Sequence, residues 1–113
     1  MPKFGEQSMI KLQQCHLDIQ KIFLEVIKRF DCTITCGHRG QVEQDAAYAA
    51  GNSKLQYPNS KHNSMPSMAV DAYPFPIKMS DTNRMRYFAG FVLGTATQLL
   101  ANGEISHNIR VLS

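Results

Sequence analysis

The chain has 113 residues, 43% of them hydrophobic and 19% charged, and a net charge of +3. These values bound it to one domain, residues 1–113, with one core that can bury roughly two-thirds of the unfolded surface. They give no basis for nucleic-acid binding, since dense Lys/Arg runs with interleaved aromatics are absent, and no apolar run approaches the ~20 residues of a membrane span.

The segment Met1-Pro2-Lys3-Phe4-Gly5-Glu6 has no apolar signal core, so the expected location is the cytoplasm. Cys15, Cys32 and Cys36 lack metal-type Cys-x-x-Cys spacing and are expected as free, mostly buried thiols. Gln7 to Phe30 predicts one amphipathic helix, capped by Ser8. Leu12, Cys15, Ile19, Ile22, Phe23, Val26, Ile27 and Phe30 form its stripe, and Lys11, Gln14, Asp18, Lys21, Glu25 and Lys28 its solvated side. His16, beside the stripe, reads as a packing or surface residue. Cys32 to Cys36 is a β-branched strand, with Cys32, Ile34 and Cys36 on one face. Gly37-His38-Arg39-Gly40 is a tight turn.

A helix is expected from Gln41 to Ala50, closely packed through its alanines and stopped by Gly51. The long polar loop Asn52 to Ser67 leads into a strand, Met68 to Tyr73, which ends at Pro74. Ser80 or Asp81 caps a helix to about Ala101, stopped by Gly103; Gly90 and Gly94 would let another backbone approach it. Ile105 to Leu112 reads as a final strand. The pattern predicts an α+β domain whose small, mainly antiparallel sheet is covered by about three helices.

Chemistry concentrates in Ser60 to Asp71. His62 on the loop and Asp71 on the strand are a neutral nitrogen and a carboxylate, both zinc-ligand types, and Ser60, Asn63 and Ser64 are placed to support them. Arg39, at the Gly-flanked turn, can present a guanidinium to a carboxylate or oxyanion. From spacing alone the other outcome is a solvated loop with a polar strand end.

The run Gly37-His38-Arg39-Gly40, Glu43-Gln44, Tyr48, Gly51, Ser53, Tyr57 to Asn63, Pro66-Ser67, Ala69-Val70-Asp71 and Pro74 resembles one family. It is similar to the zinc peptidases that include bacterial D-alanyl-D-alanine carboxypeptidases and phage L-alanyl-D-glutamate endolysins. The resemblance implies the hedgehog/DD-peptidase-like fold, a zinc cofactor and peptidoglycan stem peptides as substrate. It also implies His62 and Asp71 as zinc ligands, Ser60 as the motif serine and Arg39 as the arginine on substrate or transition state. Gln44 falls at a recurrent, structural position. Arg39, Ser60 and Tyr73 are the expected substrate-side residues.

Relatives continue into a Trp-Gly-Gly-Asp-Trp segment and then Asp-x-x-His, which carries the general base and the third zinc ligand. This sequence reaches Ser113 where that segment would begin. His107 and His38 are the histidines that could replace the third ligand, and each otherwise reads as a surface residue. Three functions follow as expectations. The first is a zinc peptidoglycan peptidase of endolysin type. The second is a catalytically inactive descendant that uses Arg39, His62, Asp71 and Tyr73 to hold a small anionic or peptide-like ligand. The third is a chain completed by another subunit, with a homo-oligomer formed through the terminal strand.

Overall fold

A computed structural model describes residues 2–111. Its elements are α1 (Glu6–Gln13), α2 (Leu17–Val26), β1 (Cys32–Cys36), α3 (Gln41–Ala49), a 3-10 turn (Lys61–Asn63), β2 (Asp71–Pro74) and α4 (Thr82–Ala101). Among the described residues the architecture is α+β: four α-helices and a two-stranded antiparallel sheet, with α1 packed on β1 and α4 on β2.

The single first helix of the sequence reading is two helices. The break at Gln14–His16 has an external cause: Ser67 N–H donates to the Gln14 carbonyl (2.8 Å), and His16 N–H donates to the Ser67 carbonyl (2.8 Å). Those groups leave the helical ladder for the far loop. His16 then caps α2 by accepting the Asp18 N–H on Nδ1 (3.1 Å). Ser8 caps nothing. It is buried inside α1, and its hydroxyl accepts the Ile34 N–H of β1 (3.1 Å).

The core forms where α2 packs on α4, α1 on β1 and β2 on α4. Leu12, Cys15, Ile22, Val26, Ile34 and Ala96 are almost wholly buried in it. Phe30 closes one end against Phe88, Phe91 and Tyr87, with the nearest ring centroid at 5.1 Å and the Arg84 guanidinium over its face.

Gly51 (φ 78°) and Gly103 (φ 76°) terminate α3 and α4 in left-handed geometry, as expected of them. Asp81 is the cap of α4, accepting the Arg84 N–H (3.1 Å). The alanines of α3 are not closely packed; Gln44 is its one buried residue, and alanine here supplies helix propensity. Gly90 and Gly94 are exposed, and among the described residues nothing comes within 4 Å of where a Cβ would stand at either.

The second strand starts later than expected, at Asp71, because Ser67 and Ala69 are committed to hydrogen bonds outside the ladder. The terminal strand is absent among the described residues, and Leu112 lies outside them. Ile105 enters the core instead. Asp18, expected on the solvated side, is buried and accepts from Ser106 N–H and Oγ–H, each at 3.1 Å. No helix among the described residues is long and apolar enough to cross a membrane.

Candidate metal centre

Antiparallel pairing sets the end of β1 beside the start of β2, so Cys36 lies opposite Asp71 in the register. The register slips between Ile34 and Cys36. A bulge re-aims the side chain that follows it. Cys32 and Ile34 are buried in the core, whereas Cys36 is only partly covered and turns toward the loop.

The loop delivers His62 on the 3-10 turn. Ser60 caps this turn, its Oγ accepting the His62 N–H (3.3 Å), while Asn63 Oδ1 accepts the Ser60 N–H (3.0 Å). This is a capping box with Asn in the fourth position. The His62 carbonyl accepts the Arg39 N–H (2.7 Å), tying loop to turn. Gly37 lets that turn lie against α1, since a Cβ there would run into the Lys11 carbonyl.

His62 Nδ1 lies 2.8 Å from the Gly37 carbonyl, and Nε2 lies 3.5 Å from Asp71 Oδ1. A ring nitrogen that donates to a backbone carbonyl leaves the other nitrogen directed at a metal. Cys36 Sγ is 3.8 Å from His62 Nδ1 and 3.8 Å from Arg39 Nη2. Cys36, His62 and Asp71 bring three ligand-type atoms within 4.8 Å of one another, and such a group can hold a metal ion.

Arg39 is positioned by Gln44. Its Nη1 donates to Gln44 Oε1 (2.9 Å), and its Nη2 stands 3.7 Å from Asp71 Oδ2. Gln44 is 0% exposed. It donates to Ser53 Oγ (3.0 Å) and the Leu55 carbonyl (2.6 Å), and it shares its Oε1 with Asn63 Nδ2 (3.1 Å).

The electrostatics of the group are those of paired charges. Burial opposes the His62 charge, but hydrogen bonds to Asp71, Cys36 and the Gly37 carbonyl outweigh it and push the imidazole up to about 10. The hydrogen bond to His62 holds the Asp71 carboxyl below its usual range despite burial, helped by the charges of His62 and Arg39. The His62 hydrogen bond likewise lowers the Cys36 thiol against the effect of burial. Burial drives Cys15 up to about 11 and Cys32 up to about 12, with the neighbouring Cys36 and Asp31 adding to it. Of the three thiols, only Cys36 sits where the thiolate is favoured.

His62, Asp71 and Arg39 of the sequence-predicted site are thus brought together. Ser60 is engaged in holding the His62 backbone. Tyr73 is half-buried in β2, opposite Thr33 and on the same strand face as Asp71. The two stand-in histidines are not in the group. His38 shares the turn, with its backbone N–H on Gln14 Oε1 (3.1 Å). His107 is bound to Asp18 (3.1 Å). The residue that sequence reasoning passed over is Cys36. Its strand alternation pointed it at the core, and only the bulge shows otherwise. A groove of about 510 Å³ along α2 and α4, lined by Glu25, Arg29, Gly94 and Thr95, shares no residue with the cluster.

Comparison of the chain with family models, with curated proteins and with solved structures returns no match.

Proposed function

We propose that the chain is a zinc-dependent, peptidase-like domain of the phage-endolysin type, acting on stem peptides of peptidoglycan. The observation that carries this reading is the meeting of His62 Nε2 and Asp71 Oδ1 at 3.5 Å beside the Arg39 guanidinium. Neighbouring ligand atoms around tetrahedral zinc stand roughly 3.4–3.6 Å apart, so the donor set fits the ion. When bound, zinc supplies Lewis-acid polarisation of a carbonyl and a more acidic water.

The chain's own residues orient and bind. The Gly37 carbonyl fixes the His62 ring with Nε2 toward Asp71. Gln44 fixes Arg39, whose guanidinium serves a substrate carboxylate or the negative charge that develops on a carbonyl oxygen. Tyr73, two residues along β2 from Asp71, flanks the bound peptide. A phage-encoded protein of this kind would accumulate in the host cytoplasm before reaching the wall.

Metal analysis of the purified protein, combined with an assay of peptide release from peptidoglycan, tests the reading. The expected outcome is about one zinc per chain, released stem peptides, and loss of both in His62→Ala. Metal-free protein that releases nothing overturns it.

Arg39 also favours a second reading, in which the site retains an anionic or peptide-like ligand without cutting it. At 3.7 Å from Asp71 Oδ2, its Nη2 lies beyond direct hydrogen-bond reach of that carboxylate and can serve an incoming one. Saturable binding of a stem peptide by calorimetry, with no product, distinguishes this reading from the first.

A further inference from the structure

The proposal above uses two protein ligands, and two hold zinc weakly. We propose that the Cys36 thiolate is the third, making the centre a Cys-His-Asp site. This rests on the metal-binding reading of His62 and Asp71 and extends it to the identity of the third ligand and the class of metal.

The Cys36, His62 and Asp71 ligand atoms all lie within 4.8 Å of one another. Ligand atoms around tetrahedral zinc stand about 3.4–3.6 Å apart, so the widest separation in the group has at most about 1.4 Å to close. The residue is there because the strand slips: the irregularity between Ile34 and Cys36 takes it off the core face occupied by Cys32 and sets it opposite Asp71. Arg39 Nη2, 3.8 Å from Sγ, favours negative charge at that atom. His62 is on the loop, Asp71 on β2 and Cys36 on β1, so the three donors come from three separate segments.

Binding would form metal bonds to Sγ and to the His62 ring nitrogen and would release to solvent the protons those two atoms carry. A thiolate, an imidazole and a carboxylate together select borderline ions such as Zn²⁺, Co²⁺ and Cd²⁺ over Mg²⁺ and Ca²⁺, which take oxygen ligands. Three protein donors also leave one position open for water or substrate, the arrangement of catalytic rather than structural zinc.

Cobalt(II) titration of the full chain tests the assignment, because a thiolate ligand gives a near-ultraviolet sulfur-to-cobalt charge-transfer band. The wild type is expected to show the band, and Cys36→Ser to lose it. Zinc affinity should fall at least about 100-fold in Cys36→Ser, more than the loss of a supporting residue around a metal causes. Cys32→Ala should keep the band. A second measurement needs no variant: zinc should protect Cys36 from iodoacetamide, read by mass spectrometry of the labelled peptide.

Cobalt bound without the band, and zinc without protection of Cys36, overturn the assignment while leaving the His62–Asp71 reading in place. Failure of the wild type to bind either ion overturns both.

Discussion

The residue that most constrains the site is one that touches no ligand atom. Gln44 has no exposed surface, and its amide joins Arg39, Asn63, Ser53 and the Leu55 carbonyl. The partners lie in three stretches, the Gly37–Gly40 turn, the Ser53–Leu55 segment and the 3-10 turn, so one side chain fixes the guanidinium and the turn carrying His62 together. Gln44→Ala removes all four hydrogen bonds from a fully buried position, and it is expected to cost about 1–3 kcal/mol of stability. Gln44→Glu keeps the shape but takes the amide donor away from Ser53 Oγ and the Leu55 carbonyl. Urea denaturation checks the loss. If Gln44→Ala unfolds at the wild-type urea concentration, the amide does not hold the loop. Arg39→Lys keeps the charge but removes the planar fork and its bond to Gln44 Oε1, which still accepts from Asn63 Nδ2, so weaker peptide binding is expected of it.

At the scale of elements, the site depends on how closely the Gly37 turn lies on α1. A Cβ at position 37 would meet the Lys11 carbonyl, which is backbone and cannot swing aside. Gly37→Ala should therefore destabilise by about 1–3 kcal/mol through overpacking. It should also weaken metal retention, because the Gly37 carbonyl orients the His62 ring. Thermal melts with and without zinc measure both effects, and a variant indistinguishable from wild type in both would refute the claim. Most of these elements were legible beforehand. β-branching marked β1, Asp81 marked the start of α4, and Gly51 and Gly103 marked helix ends, because those signals are local. The break between α1 and α2 was not legible. Leu12, Cys15, Ile19 and Ile22 keep helical spacing straight through it, and the groups that open it belong to Ser67, far along the chain. For the same reason His62 and Asp71 could be named from their motif while Cys36 could not: a bulge is a property of the pairing, not of either strand alone.

For the whole molecule, the remaining question is what holds the segment after α4 in place. Alternating apolar residues made it look like a strand, yet its fate is settled by one carboxylate at the start of α2. Asp18 is 9% exposed and accepts from Ser106 N–H, Ser106 Oγ–H and the His107 ring, which seats Ile105 in the core between α2 and α4. Burial alone would raise the Asp18 pKa. The hydrogen bonds from His107 and Ser106 reverse that and hold the carboxyl below its ordinary value. The sign of the pH dependence follows. The folded state binds fewer protons at Asp18 than the unfolded chain, so its contribution is complete above the unfolded value of about 3.9 and is lost as pH falls through the lower folded value. Asp18→Asn removes that contribution at neutral pH, at a cost of about 1.5 kcal/mol, since Ser106 is exposed and its donors can turn to water. Urea denaturation of both proteins should show the variant less stable at neutral pH and the gap narrowing as pH falls below the ordinary carboxylate range. A gap that stays constant with pH would mean that Asp18 seats the segment by packing alone.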